Sequence, residues 1–355
     1  MFLKGANKMT VRKTILGVLV LLLISSMAFA QTAARNGTTA ASYLLIPQGA
    51  RYLSGGGAVA NVNGLESIFW NPAGLSTSEK PINAMFSRRS YIADIDMNFV
   101  SLSMASERLG AFAVSLRNFD IGDIPITTVF APDGTGGVYT PNVFSLGVTY
   151  SKRLTDRTNV GITANYLNES FERVAATGLA LDVGVQYHSF MDVENWSIGV
   201  VLRNFGSPMR YGGSGLWQAA KAVDGDRQVT FYKVEAASFD LPAIVDLGTS
   251  YSIPMGESSS LLLGLTFENN ETAHNEYKLM GEYLFSDLLA LRGSYVVSED
   301  LGLGDELKNI FANNVSFGGS LNLRAATGVD ISFDYAFIST EIFDSNQILS
   351  FRFGF

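Results

Sequence analysis

From Ile82 to the last residue the chain alternates apolar with polar or small residues, and this limits the possible folds more than any other feature. Phe144, Leu146, Val148 and Tyr150 alternate with Ser145, Gly147, Thr149 and Ser151. Leu179, Leu181, Val183 and Val185 alternate with Ala180, Asp182, Gly184 and Gln186, and Val329, Ile331, Phe333 and Tyr335 with Asp330, Ser332 and Asp334. A period of two places the two sets on opposite faces of a strand. About 14 such segments follow one another, starting near Ile82, Asp94, Leu109, Asn142, Arg157, Thr177, Trp196, Phe239, Ser259, Asn275, Leu288, Asn313, Thr327 and Ser345. Most reach the roughly 9–11 residues that a tilted strand needs to cross a bilayer, well beyond the roughly 5–6 usual in soluble sheets. In the second segment the parity changes between Phe99 and Val100, which predicts a bulge there.

The connections carry a second signal. Those after odd-numbered segments include every long one, with Asp120–Pro141 and Gly206–Ser238 the longest and Ser170–Ala176 among the shorter. Those after even-numbered segments, such as Glu107-Arg108, Leu154–Asp156 and Ser286-Asp287, are tight. A transmembrane barrel sorts its loops this way because one rim bears short turns and the other the outside loops. The apolar face is too extensive to be covered by a second layer. In hydrocarbon every backbone N–H and C=O needs a partner, and only a closed ring supplies that without edges. The chain thus reads as all-β, a 14-stranded antiparallel transmembrane barrel facing outer-membrane lipid.

Both ends agree with this reading. Lys4, Lys8, Arg12 and Lys13 precede the apolar run Ile15–Ile24, and Ala28-Phe29-Ala30 forms an A-x-A site. That is an export signal over 1–30, cleaved near Ala30, for the outer membrane of a Gram-negative bacterium. The last strand carries Leu349, Phe351, Phe353 and Phe355 on one parity and resembles the closing strand of bacterial outer-membrane barrels, which commonly end on Phe.

Composition narrows the chemistry. A formal charge of −8 argues against nucleic acid as a partner. With no Cys and only His188 and His274 as histidines, thiolate and His-rich metal sites are excluded, and no cofactor or metal is expected. No Gly-x-Ser-x-Gly motif is present, and Asp133–Gly137 reads as a plain turn, so no catalytic residues are assigned. Asp182, Asp246, Glu268, Glu282, Asp330 and Asp334 fall on the inward parity, as do Arg117, Arg203, Arg292, Arg324 and Arg352. Buried charges are costly unless paired, so these read as a salt-bridged lumen.

Residues 31–81, ahead of the barrel at 82–355, differ from the rest. Tyr43–Pro81 lacks alternation and is rich in Gly: Gly49-Ala50-Arg51, Gly55-Gly56-Gly57-Ala58, then Phe69-Trp70-Asn71-Pro72-Ala73-Gly74-Leu75. Glu66–Trp70 reads as a short helix. Asn71 reads as the cap of a further turn, with Pro72 at its first position and Gly74 ending it. A ring of 14 strands is too wide for its own small side chains to fill, so this segment is expected to be a plug, or hatch.

These strings resemble the start of PorV/PorQ family outer-membrane proteins and, more distantly, the plugged FadL-type transporters. Leu241-Pro242 leading into Leu247-Gly248 and Tyr251 is similar to the same family. The resemblance implies a non-enzymatic accessory of type IX secretion that binds a translocon barrel and exported cargo proteins. The alternative it leaves open is a gated transporter of a hydrophobic small molecule, opening laterally near the Phe99–Val100 break. In either reading Phe69, Trp70, Asn71, Pro72, Ala73, Gly74 and Leu75 form the hatch motif. The outer loops carry recognition. Arg210, Tyr211, Trp217, Phe231 and Tyr232 in Gly206–Ser238 are the candidate partner-binding residues, because exposed aromatics with Arg make binding hot spots. The same loop could instead fold inward as a lid.

Overall fold

A computed structural model describes residues 37–54, 58–78, 80–220, 229–256, 258–270, 275–286, 288–298, 315–324, 329–339 and 345–355. The export signal at 1–30, the lead at 31–36 and the triple glycine at 55–57 lie outside the described residues, as do Lys221, Arg227 and His274.

The barrel strands are β1 (Ile82–Ser90), β2 (Asp96–Ser106), β3 (Gly110–Asp120), β4 (Asn142–Thr155), β5 (Thr158–Phe171), β6 (Val174–His188) and β7 (Trp196–Gly206). They continue as β8 (Ile244–Pro254), β9 (Ser260–Asn270), β10 (Glu276–Phe285), β11 (Leu289–Ser298), β12 (Val315–Arg324), β13 (Asp330–Ile338) and β14 (Asn346–Gly354). Each pairs antiparallel with the next, and β14 pairs back onto β1 from Asn83 opposite Gly354 to Ser90 opposite Gln347, so the ring closes. Leu349 and Phe351 of the terminal strand face outward, and the Ile82 and Phe355 backbones exchange hydrogen bonds at the seam.

The expected sides hold. Outward residues such as Leu102, Met104, Val114, Leu179, Leu263, Leu265 and Leu291 form an exposed apolar band. Ser103, Thr149, Thr163, Asp182, Gln186 and Asp246 are buried on the inner side. At the short-turn rim Tyr187, Phe190 and Trp196 form an aromatic girdle, with the Phe190 and Trp196 centroids 5.0 Å apart.

The expected bulge at Phe99–Val100 is absent. β1 and β2 pair in unbroken register, Phe99 opposite Ser87 and Val100 opposite Phe86. The parity change has another cause: Met97 and Phe99 are inward residues that are apolar because the amino-terminal segment packs on them. Met97 joins Tyr43 and Leu44 in one buried cluster, and Phe99 joins Leu65, Ile68 and Leu75 in another. No strand is kinked there, so a lateral opening at that point loses its basis. Among the described strands a bulge lies in β7 instead, and the register also shifts at the end of β4 between Arg153 and Thr155. Leu181 pairs with Phe205 but Val183 pairs with Leu202, which leaves Arg203 and Asn204 together opposite Asp182. Asn204 takes a left-handed backbone (φ 59°), and its N–H donates to Asp182 Oδ1 at 2.6 Å. This two-against-one pairing is a bulge.

Two other boundaries shift. The Ser170–Ala176 connection shrinks to Glu172-Arg173, with Glu172 left-handed, so β5 and β6 make a tall hairpin. β8 starts at Ile244 rather than near Phe239. Ser238–Phe239 instead pairs with Met209–Arg210 in a small ribbon, and Pro242, which has no N–H to give a ladder, separates the two.

The outward band makes a direct prediction. Leu265, in mid-strand between Thr249 and Leu279, faces outward. Leu265→Arg is expected to destabilise the barrel by about 2–4 kcal/mol in lipid vesicles. Equilibrium urea unfolding reads this out, with inward-facing Thr266→Ser as a control close to wild type.

Candidate functional site

Residues 38–54 and 58–78 pack against the inner side of the ring. Tyr43 and Leu44 sit among Phe119, Val143, Leu167, Met209 and Leu241 below the long-loop rim. Ser76 and Ala73 hydrogen-bond Ser151, near the short-turn rim. The segment therefore runs the height of the barrel before Ile82 enters β1.

The Phe69–Leu75 string is buried throughout, and each member has a physical task. Ser67–Trp70 is a single helical turn. Asn71 caps the next turn, its Oδ1 accepting the Ala73 N–H at 3.1 Å with Pro72 at the first position, as its sequence predicts. Its Nδ2 donates to Val59 O at 2.9 Å and Val185 O at 3.2 Å. One amide thus ties its own turn, the Val59 turn and the β6 backbone together. The turn runs through Gly74 to Thr77, so Gly74 does not end it. Gly74 serves close approach instead: a Cβ there would lie 2.0 Å from Val62 O.

The wall behind this turn is made flat by glycine. A Cβ on Gly184 would lie 2.0 Å from Asn71 Oδ1, one on Gly161 2.3 Å from the Pro72 carbonyl carbon, and one on Gly199 2.5 Å from Val59 O. Gly161 and Gly184 are direct partners across β5 and β6, as are Gly199 and Gly248 across β7 and β8. Backbone-to-backbone contact at this distance admits no side chain. Gln186 adds two hydrogen bonds, to Val59 O and Val62 O.

Phe69 is held on charge. Its ring lies under the guanidiniums of Arg117 (5.1 Å) and Arg203 (5.2 Å), and Trp70 meets it edge-on at 5.0 Å. Arg203 faces inward by the parity of β7, and the bulge adds Asn204 to the same side. It pairs with Asp246 at 2.7 Å and Glu268 at 3.1 Å, and Lys278 pairs with Glu268 at 2.6 Å. On the opposite wall Arg292 pairs with Glu282 at 2.5 Å and Arg352 with Asp334 at 2.8 Å. Of the inward carboxylates read from parity, Asp246, Glu268, Glu282, Asp330 and Asp334 are ion-paired, while Asp182 accepts hydrogen bonds from the Asn204 N–H and the Asn165 amide, and the arrangement is a packing one. Among the described residues no group of three His, Asp or Glu could hold a metal.

Glu66 was not among the residues singled out by sequence. It is buried, and its two oxygens accept the N–H groups of Arg51 (3.4 Å) and Tyr52 (3.0 Å), joining the two arms of the segment. Gly49, left-handed at φ 81°, leaves the room it needs. The spacing of Gly49 and Glu66 carries no local periodicity, so only the fold brings them together. Burial, with Asp334 adding to it and Arg352 and Arg51 opposing, pushes the Glu66 carboxyl up to about 7.

The long-loop residues divide into two groups. Met209 is buried and Tyr211 is half-buried, packed on Phe171 and hydrogen-bonded to Glu169. Gly212 bridges to Ala175 of the tall hairpin. This part folds inward, as a lid would. Arg210 stays exposed and pairs with Glu235. Residues 217–220 and 230–233 form a second ribbon that stands in solvent, with Trp217 opposite Lys233 and Phe231 opposite Ala219. Trp217, Phe231 and Tyr232 are each more than half exposed. At the other long loop Phe130 is 98% exposed at the tip of a turn closed by Thr128 and Ala131.

A closed fourteen-strand antiparallel ring with an apolar outer band and loops sorted between its rims has the architecture of a membrane-spanning β-barrel. The solved structures it resembles include the toluene transporter TodX of P. putida (14% identity, 87% of this chain and 99% of that one, TM-score 0.55). They also include the toluene transporter TbuX of Ralstonia pickettii (11%, 87% and 98%, 0.51) and the CymD monoaromatic hydrocarbon channel (13%, 87% and 97%, 0.50). At these identities the likeness is one of fold. A comparison with curated proteins gave no match. The family profile described as type IX secretion system protein PorV matches residues 29–220, and the chain belongs to that family.

Two outcomes follow. Gly184→Val forces apart Asn71 and the β6 wall, and limited proteolysis in detergent is expected to cut within 58–75, a segment protected in the wild type, while the barrel stays folded. Glu66 titrates higher when folded than the roughly 4.3 of an unfolded chain, so the folded state binds more protons between those values. Its contribution is fully present below about pH 4.3 and lost as pH rises through about 7. Unfolding midpoints across pH 4.5–7.5 should therefore fall less steeply in Glu66→Gln than in wild type.

Proposed function

We propose that this chain is a non-enzymatic outer-membrane docking barrel of type IX secretion, engaging a secretion translocon barrel and exported cargo through its long-loop rim. In this reading residues 1–30 are an export signal cleaved near Ala30, 31–81 the lead and plug, and 82–355 the barrel. The observation that carries it is membership of the PorV family. The rim supports it: Trp217, Phe231 and Tyr232 stand in solvent on a ribbon anchored at its base by buried Met209. Side chains of this kind lose apolar exposure when a partner covers them, which is how hot spots work. The plug role rests on Asn71, the glycine wall and the Phe69 contacts, which tie residues 59–75 to β3, β5, β6 and β7.

The alternative, a gated carrier of a hydrophobic small molecule, draws on the fold shared with TodX and TbuX, both described as toluene transporters. One experiment separates the two. The triple change Trp217→Ser, Phe231→Ser, Tyr232→Ser leaves the inward-folded residues untouched. Pull-down from detergent extracts is expected to recover translocon barrel and cargo with the wild type and to lose at least tenfold with the variant. Equal recovery with both would remove the docking role of this ribbon.

A further inference from the structure

The amino-terminal segment presses on the glycine wall of β5–β8 and leaves the opposite half of the short-turn mouth open. A chamber of about 580 Å³ remains there, walled by the segment on one side and by β10–β14 on the other. That is the size of a small-molecule site. Its mouth is formed by residues of the short-turn rim, among them Lys80, Ser286, Leu288 and Asp330, so it opens toward the periplasm in the orientation the loop lengths define.

The inner end of the chamber is rich in guanidiniums. Three guanidiniums, Arg51, Arg292 and Arg352, line it. They share two carboxylates. Arg292 pairs with Glu282 at 2.5 Å and Arg352 with Asp334 at 2.8 Å, while Arg51 reaches Glu282 only at 3.9 Å. The third carboxyl nearby, Glu66, has both oxygens on backbone N–H groups. Lys80 and Asp330 neutralise each other at the mouth, 3.5 Å apart. Arg51 Nη1 donates to Asn63, but the buried Arg51 Nε has no hydrogen-bond partner among the described residues. A guanidinium left one donor short at the end of a polar chamber attracts a planar or tetrahedral oxyanion, which its fork fits better than a halide.

We propose that this chamber is a binding site for a small periplasmic oxyanion, a carboxylate or phosphate held by Arg51 with Arg292 and Arg352 behind it. The site stands on the barrel and its inner segment and does not depend on the secretion reading. Ser332 lines the chamber from β13, between Asn322 and Arg352, and a bulky side chain there would fill it.

The test uses the full-length exported protein in detergent, titrated with sodium phosphate or sodium succinate against sodium chloride at matched ionic strength. Binding is followed by calorimetry and by the unfolding midpoint. At least one oxyanion is expected to bind saturably and raise the midpoint beyond the chloride control, and the two arms tell a phosphate site from a carboxylate site. Arg51→Gln is expected to weaken binding at least tenfold. Ser332→Trp, which keeps every charge, is expected to abolish it while the barrel remains resistant to detergent-induced unfolding. No saturable effect of either anion, or unchanged affinity in both variants, would overturn the site. Partner recovery by the long-loop rim should be the same in wild type and Ser332→Trp, so failure here and failure of the docking role are separate results.

Discussion

Backbone hydrogen bonding in a medium without water governs this molecule. Each strand must give all its N–H and C=O groups to neighbours, which a sheet with edges cannot do in hydrocarbon. The pairing of β14 with β1 removes the last edges, and the terminal Phe355 is bonded to Ile82 at that seam. Closure at fourteen strands then sets a second demand. A ring this wide has an interior its own side chains do not fill. Described residues of the amino-terminal segment, among them Tyr43, Leu44, Leu65, Ile68 and Leu75, pack on inward residues such as Met97 and Phe99 of that ring.

The way the interior is filled is asymmetric. On β5–β8 the wall is reduced to backbone, and the segment lies on it with glycines directly beneath Asn71, Pro72 and Val59. Across the lumen the wall is charged, and Arg292 and Arg352 are paired within the sheet. Phe69 lies against guanidiniums from β3 and β7. An aromatic ring is a suitable contact for a buried cation because the quadrupole offers charge compensation without a second desolvated ion. The seat of the segment is thus specified by missing side chains on one wall and by ring–cation contacts with Arg117 and Arg203, which fix position more narrowly than apolar packing alone.

Much of the barrel was readable from residues in order. Strand starts at Ile82, Asn142 and Trp196 coincide with those expected, because lipid on one side and lumen on the other impose a period of two that needs no long-range information. The false bulge at Phe99 shows where that reading breaks. Alternation reports polarity, and Met97 and Phe99 are apolar on the inner side only because Leu44, Leu65 and Ile68 lie against them. The bulge at Arg203-Asn204 left only a weak trace, two consecutive polar residues, because Val200-Val201-Leu202 already interrupts the alternation just before it. The long loop was legible as a recognition element but not in its division. Met209 turns in and Trp217 turns out because the tall β5–β6 hairpin, itself longer than expected, offers Ala175 as a backbone partner to Gly212.

What the sequence alone determined is the local code: strand number and direction, which face meets lipid, which rim bears the loops, and the Asn71-Pro72 turn with its cap. These depend on neighbours within a few positions. Only the tertiary structure decided which inward residues meet. Asn71 against Gly184, Glu66 against Gly49, Phe69 against Arg117 and Arg203, and Arg51 near Glu282 join residues far apart in the chain. Ring closure and the path of one segment through it set those encounters, and no periodicity encodes them.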